Sequence, residues 1–162
     1  EDPYPGEKRV LVPSPNVPTY DLKPEMSCHE VGIEVINAIK NEDYKLIVVN
    51  FANGDMVGHT AVKSAIIEAM NELDKVLGEV VCEAIGANIA TLITADHGNV
   101  DEINNPKTGK PNTQHSLNPV PCVVIDNKRN WKIIKNDGGL SNITPTVLTL
   151  MGIDKLVYSH KS

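Results

Sequence analysis

Residues 90–99 of the chain read ATLITADHGN, and this stretch decides how the rest of the sequence is interpreted. Its first half, TLIT at residues 91–94, is a short apolar and β-branched run typical of a buried strand in a sheet covered on both faces. Its second half, DHGN, lies directly beyond the carboxyl end of that strand, where ligands bind in open α/β sheets. Because a turn relieves the alternation of a strand, Asp96 and His97 can both face one metal ion. A plain turn is the alternative, since Asp, Gly and Asn are ordinary turn formers.

The composition is that of a soluble globular protein with room for one sizeable core. The 162 residues are 41% hydrophobic and 22% charged, with a formal net charge of −6. That balance argues against nucleic-acid and anionic-membrane partners, and no apolar run reaches the roughly eighteen residues of a membrane span. The three cysteines form no CxxC pair, and the first residues given do not have the pattern of a signal peptide. We therefore expect reduced core thiols in a cytoplasmic protein.

Strand patterns and helix patterns alternate along the chain. The apolar runs at residues 45–51 and 120–125 predict further strands, the first of them central in a sheet. Between the runs at 45–51 and 91–94, apolar residues recur every three or four positions over 60–85, which predicts a long helix with one buried face. This alternation predicts an α/β fold with a mainly parallel sheet and helices on both faces.

The two ends of the chain carry helix signals of their own. Ser27 and Glu30 fit a capping box at the start of a helix that runs to about residue 40. Thr144 and Pro145 predict the start of a last helix, which Gly152 ends. The proline-rich residues before Ser27 have no such pattern, and we interpret residues 1–24 as a connector.

Acidic residues and histidines follow two of the predicted strands. Asp55 and His59 come after the first, and they share one face if the turn between them is helical. Asp96 and His97 follow the second, and the long polar loop beyond them carries His115, which is free to fold back. Carboxylate and imidazole ligands together favour manganese or zinc over calcium. Five ligands are too many for one zinc ion. If Asp55, His59 and His115 hold a first ion, Asp96 and His97 are too few ligands for a second ion.

The two remaining histidines do not join this set. His29 falls in the first turn of a predicted helix and has no partner at helical spacing, so we expect it on the surface. His160 lies in the tail and is incidental.

Several short motifs in the sequence occur together in one known family. NFANGDMVGHT at residues 50–60 and TADHGN at 94–99 are specific as a pair, and PGEKR at 5–9, TYDLKPEMS at 19–27 and NPVP at 118–121 accompany them. The combination resembles the C-terminal part of the cofactor-independent (2,3-bisphosphoglycerate-independent) phosphoglycerate mutases, which belong to the alkaline phosphatase superfamily. The resemblance covers nearly the whole chain.

The resemblance implies a role for each of the five residues. It assigns Asp55, His59 and His115 to one manganese ion, and Asp96 with His97 to a second ion. It also implies that an Asp and a nucleophilic Ser complete the second site from an N-terminal region whose motifs this sequence does not contain. Within this chain, no catalytic nucleophile is therefore expected.

The same resemblance implies how the chain is organised. An arginine-rich substrate domain is expected before the first residue, so that residues 1–24 return from it and residues 25–162 are the C-terminal part of the metal-binding domain. Around His115 the sequence reads Gln-His-Ser, where the family usually has Ala-His-Thr.

The reaction implied by the resemblance interconverts 3-phosphoglycerate and 2-phosphoglycerate through a phosphoserine. The expected partners are this small-molecule substrate and the N-terminal remainder of a parent chain, without which these residues are expected to be inactive. Two alternatives stay open. One is another superfamily enzyme with the same ligand pattern, such as a phosphopentomutase, a phosphatase or a phosphodiesterase. The other is a non-catalytic metal-binding domain.

Overall fold

A computed structural model describes residues 2–41, 44–132 and 138–153 of the chain. The regular elements in these ranges are α1 (Cys28–Asn41), α2 (Asn53–Gly58), α3 (Lys63–Gly86), β1 (Thr91–Thr94), β2 (Cys122–Ile125) and α4 (Ile143–Leu150), with 3-10 turns at Tyr20–Leu22 and Leu140–Asn142. The predicted combination of helices and strands is confirmed. Among the described residues, no helix is both long enough and apolar enough to cross a membrane.

Helices α1 and α3 pack against each other. Val76 and Val80 of α3 lie close to Gly32 of α1. The three- and four-residue spacing of apolar residues on α3 gives one buried face, as predicted. The buried residues of that helix are Ala65, Ile66, Ala69, Val76, Val80 and Ala84.

A small core lies between α3, α2 and the turn at Tyr20–Leu22. Its buried members are Met26, Val57, Ala65, Ile66 and Ala69. The side chain of Asn53 is also buried here, and its Nδ2 donates to the carbonyl oxygens of Pro24 at 3.0 Å and Glu25 at 2.9 Å. A buried amide that finds two acceptors costs little to bury and fixes its neighbours in place. These two hydrogen bonds hold the first residue of α2 against Pro24 and Glu25.

Ser27 joins the proline-rich segment to the start of α1. Its hydroxyl donates to the carbonyl oxygen of Pro13 at 2.7 Å. The helix begins where the sequence predicts, but the Ser27 side chain is directed to Pro13 rather than to the predicted capping box. A hydrogen bond to a residue 14 positions away in the chain therefore forms in place of the local capping contact.

Strands β1 and β2 pair antiparallel, whereas the sequence predicts mainly parallel neighbours. Their register runs from Thr91 opposite Ile125 to Thr94 opposite Cys122. The connection between them contains no helix and folds back on itself through a bridge between Gly98 and Ser116. A connection that returns directly produces an antiparallel pair, because a parallel pair needs a crossover.

Residues 45–51, predicted as a central strand, are not a strand in the part of the chain that the structure describes. Leu46 and Val48 are 52% and 84% exposed. A strand exists only when a neighbour supplies a ladder of hydrogen bonds, and no such ladder forms here among the described residues.

The three cysteines are free, but only one of them is in the core. Cys28 is buried, while Cys82 and Cys122 are exposed. The expectation of three core thiols was therefore wrong for two of them. Cys82 follows the buried Val80 by two positions on α3, which turns it away from the buried face.

Asp126 links the end of β2 to α4. Its side chain is 4% exposed and accepts hydrogen bonds from the Lys128 amide at 2.8 Å, the Trp131 indole at 2.8 Å and Arg129 Nε at 3.0 Å. Arg129 in turn donates from Nη2 to the carbonyl oxygen of Leu150, the last residue of α4, at 2.6 Å. The Lys128 amide, the indole and the guanidinium together lower the pKa of Asp126 to about 2.

We expect this carboxylate to make stability depend on pH. The pKa of Asp126 in the folded chain is about 2, below the roughly 3.9 of an aspartate in the unfolded chain. Ionised Asp126 therefore stabilises the fold at pH values above about 3.9, and this stabilisation is lost as the pH falls toward about 2. Asp126→Asn should lower the Tm at neutral pH, and the difference in Tm between this variant and the wild type should shrink below about pH 4. Thermal melts followed by circular dichroism measure this. Asp74→Asn, at an exposed site on α3, is the control, and a difference that is constant with pH would contradict the expectation.

Candidate metal centre

The turn that follows residues 45–51 is helical, and it places Asp55 and His59 on one face. Both belong to the α2 turn, with His59 immediately after its last residue. Side chains four positions apart on a helix are neighbours. Oδ1 of Asp55 accordingly lies 3.1 Å from Nε2 of His59.

His97 and His115 direct two further ring nitrogens at the same carboxylate oxygen. Nε2 of His115 is 3.1 Å and Nε2 of His97 is 3.8 Å from Oδ1 of Asp55. The rings of His97 and His115 are stacked, with centroids 3.6 Å apart and an angle of 16° between their planes. Nε2 of His115 also lies 3.3 Å from Nε2 of His59. Three imidazoles from three separate parts of the chain thus surround one oxygen.

The ring of His59 is oriented by its other nitrogen. Nδ1 donates to the carbonyl oxygen of Thr113 at 2.6 Å. Because a carbonyl oxygen can only accept a hydrogen bond, Nδ1 carries a proton in this contact, and Nε2 is the ring nitrogen that faces Asp55. His97 has a similar but longer contact, from Nδ1 to the carbonyl oxygen of Gly98 at 3.3 Å. Histidines that bind metals commonly donate their second N–H in this way, which fixes the tautomer and the ring.

This donor set fits a divalent transition metal. One ligand atom each from Asp55, His97 and His115 lies within 4.8 Å of the other two, and His59 contacts both Asp55 and His115. Carboxylate oxygen combined with imidazole nitrogen suits manganese, zinc or cobalt. Ring nitrogens that converge on one carboxylate oxygen place several ligand atoms where a cation could bind them together.

Asn99 holds the carboxylate of Asp55 in place. Its side chain is almost fully buried, and its Nδ2 donates to Oδ1 of Asp55 at 2.8 Å. Only a glycine fits at position 58, because a Cβ there would lie 2.3 Å from Oδ1 of Asn99. Partial burial acts to raise the pKa of Asp55, but the hydrogen bond from Asn99 and the three imidazoles outweigh it and hold that pKa below its usual value. Asp55 therefore stays ionised.

Asp96 stands beside this group rather than at its centre. Its side chain is 84% exposed, and its Oδ2 is 3.6 Å from Nε2 of His97. Its other oxygen accepts from the backbone amide of His97 at 3.1 Å. The structure therefore brings together Asp55, His59, His97 and His115 and leaves Asp96 at an exposed margin.

The other histidines lie elsewhere. His29 is on the surface, where its Nε2 is 3.2 Å from Oε2 of Glu72. His160 lies outside the described residues.

Sequence reasoning missed the residues that support the ligands. Asn99 lies within the TADHGN motif, and its position directly after the two ligand candidates is a usable signal. Asp101 and Ser116 hydrogen-bond to each other at 2.7 Å, but an acidic residue and a serine in a polar loop carry no comparable signal. Their pairing depends on how a loop folds, which local patterns do not encode.

Comparisons with known proteins agree with the motifs. The 2,3-bisphosphoglycerate-independent phosphoglycerate mutase of Symbiobacterium thermophilum is 49% identical over 152 residues, which are 94% of this chain and 29% of that protein. The enzyme of the same name from Bacteroides thetaiotaomicron is 48% identical over 154 residues, 95% of this chain and 30% of that protein. The resemblance predicted from the motifs is confirmed. This chain spans less than a third of the length of these relatives.

A solved structure and a family comparison agree with this result. A crystal structure of Leishmania mexicana phosphoglycerate mutase at low cobalt concentration matches with a TM-score of 0.78 and 32% identity, over 87% of this chain and 28% of that one. Residues 1–155 match the metalloenzyme superfamily. The chain therefore belongs to the metalloenzyme superfamily.

Proposed function

We propose that this chain is the metal-binding part of a phosphoglycerate mutase, an isomerase of glycolysis and gluconeogenesis that interconverts 3-phosphoglycerate and 2-phosphoglycerate through a phosphoserine. The observation that carries the proposal is the convergence of Asp55, His59, His97 and His115 on one point. These residues lie in the stretches whose motifs resemble the mutases, and relatives 45–49% identical bear that name.

We propose two divalent ions, both manganese, for the complete enzyme. Asp55, His59 and His115 would hold one, and Asp96 with His97 would contribute to the other. When bound, such ions neutralise phosphoryl oxygens and lower the pKa of a serine hydroxyl. The exposed carboxylate of Asp96 is accessible to further ligands, which supports a second site completed by other residues.

The nucleophile is proposed to come from an N-terminal remainder of the parent chain, together with the groups that orient glycerate. Among the described serines, Ser116 is next to a ligand. Its side chain is nearly buried, and its hydroxyl already donates to Asp101 at 2.7 Å. A hydroxyl committed to a neighbouring carboxylate supports a structural role and not attack on phosphorus.

The complete fold is proposed to be alkaline-phosphatase-like, with a mainly parallel sheet and helices on both faces. The exposed apolar side chains of residues 45–51 support this, since they would be covered if the run paired as a strand with other parts of the parent chain. Residues 1–24 are proposed as the connector and residues 25–162 as the C-terminal part of the metal-binding domain. The free cysteines support a reducing compartment, and we propose the cytoplasm.

Another superfamily enzyme would share the ligand pattern, so a chimera is the decisive test. Residues 1–155 would replace the matching segment of the Symbiobacterium mutase, and the product would be assayed with manganese on 3-phosphoglycerate, a phosphopentose and nitrophenyl phosphate. We expect mutase turnover within about tenfold of that relative, or about 1.4 kcal/mol.

Two single variants of the chimera make the result specific. His59→Ala should remove turnover, while His29→Ala, at the surface, should leave it unchanged. Turnover of nitrophenyl phosphate alone would indicate a phosphatase instead. Because the Symbiobacterium part would supply the groups that orient glycerate, turnover of the phosphopentose alone would indicate that the exchanged residues themselves select a phosphopentose. A folded chimera that binds manganese but turns over none of the three would indicate a non-catalytic metal-binding domain.

A further inference from the structure

Asp101 holds the loop that carries His115, although it belongs to no proposed ligand set. Its Oδ2 accepts from Oγ of Ser116 at 2.7 Å and from Nδ2 of Asn118 at 2.6 Å. The two donors follow His115 by one and three positions. Hydrogen bonds to a carboxylate are short and roughly twice as strong as neutral ones. One side chain thus fixes the segment on the C-terminal side of His115.

The backbone makes a matching contact at the same place. The amide of Ser116 donates to the carbonyl oxygen of Gly98 at 2.8 Å, directly after His97. A Cβ at position 98 would lie 2.2 Å from Oγ of Ser116 and 2.8 Å from Oδ1 of Asp101, so the absence of a side chain there allows this approach. The contacts of Ser116 with Asp101 and Gly98 therefore set the distance between the turn that contains His97 and the loop that contains His115.

Apolar packing contributes little at this end of the loop. Leu117 is fully exposed, and the side chain of His115 is 47% exposed. Ser116, by contrast, is only 7% exposed, because it lies against Asp101 and Gly98. The position of this loop end is consequently set by polar contacts, those to Asp101 and the backbone hydrogen bond to Gly98.

From these contacts we infer that Asp101 is a positioning residue for His115: acting through Ser116 and Asn118, it fixes the His115 ring against the ring of His97 and beside Asp55. The consequence for metal affinity rests on the proposed metal-binding function, whereas the positioning itself does not. The inference therefore has two separable tests.

The first test needs no metal. Nuclear Overhauser contacts between the His97 and His115 rings, and hydrogen exchange of the Ser116 amide, are measured in the metal-free chain. Asp101→Ala and the milder Ser116→Ala should lose the ring contact and raise the exchange rate at least about tenfold, while Ser116→Thr, which keeps the hydroxyl, should retain both. Glu102→Ala is the matched loss of a neighbouring carboxylate and should retain the ring contact. An intact contact in Asp101→Ala with wild-type exchange would overturn the inference.

The second test uses cobalt as the probe, followed by its visible absorbance. Asp101→Ala should weaken cobalt binding about 10- to 100-fold, as is typical for residues that orient ligands. In a His115→Ala background, Asp101→Ala should change cobalt affinity less than about threefold, because its effect passes through His115. An equal loss in both backgrounds would overturn the inference, since a merely destabilising change would act in both.

The two tests also separate the two proposals. If the wild type binds no cobalt but Asp101→Ala loses the ring contact, the metal-binding function fails and the positioning role stands. If the wild type binds cobalt and Asp101→Ala binds it equally well, the positioning role fails and the metal-binding function stands.

Discussion

Replacing Asp55 with alanine should remove manganese and cobalt binding by the 162-residue chain, with a loss of more than about a hundredfold in affinity. Removing a residue that only orients a ligand typically costs 10- to 100-fold, so removal of Asp55, the proposed anionic ligand, should exceed this range. Nε2 atoms of His59, His97 and His115 all lie within 3.8 Å of Asp55 Oδ1. Without the carboxylate, only imidazole nitrogens remain at this point, and none of them offers a negative charge to offset that of the cation.

Calorimetric titration with manganese measures this effect, and the chain offers a matched set of variants. Asp55→Asn keeps the size of the side chain and removes its charge, so it should behave nearly as Asp55→Ala does. His59→Ala removes one of several ligands and should lose less. His29→Ala removes a surface histidine and should bind as the wild type. Binding should also weaken in acid, because protonated imidazoles cannot ligate. Wild-type affinity in Asp55→Ala would refute the assignment.

Local patterns predicted the parts of the fold that depend on neighbours in the sequence. The three- and four-residue spacing on α3 gives the predicted buried face, and Thr91–Thr94 forms the predicted strand, since a helix face and a strand propensity are local properties. The strand is half-buried rather than buried as predicted. The helical turn after residues 45–51 is also local, and it accounts for the 3.1 Å approach of His59 to Asp55. The pairing of strands is a different matter.

Strand pairing depends on residues distant in the sequence. Residues 45–51 have the composition of a strand but form none among the described residues, because composition does not specify a partner. The sequence contains a signal for the antiparallel pairing of β1 and β2. A parallel pair needs a crossover, which is usually a helix, and the polar stretch at residues 100–118 has no helical periodicity. Alternating strands and helices predict parallel neighbours only where a helix joins the two strands, and the connection between β1 and β2 contains none.

At the site, the sequence identifies residue types but not the directions of their side chains. Asp96 and His97 are adjacent, yet the carboxylate of Asp96 is 84% exposed while Nε2 of His97 faces Asp55. The backbone of the turn decides which of the two points inward. The support from Asp101 depends on a contact 15 residues away that only the folded loop creates.

The 162-residue chain on its own should convert 3-phosphoglycerate at less than about one hundredth of the rate of the full-length Symbiobacterium relative. Ser116, which is next to the proposed ligand His115, already donates its hydroxyl to Asp101, and the hydroxyl of Ser27 donates to Pro13. Without an activated nucleophile no phosphoserine forms, and without groups that orient glycerate the positioning advantage is lost as well. An enolase-coupled assay with manganese, run beside the relative, measures the rate. Turnover within a hundredfold, a gap of only about 2.7 kcal/mol in activation free energy, would show that these residues contain their own nucleophile.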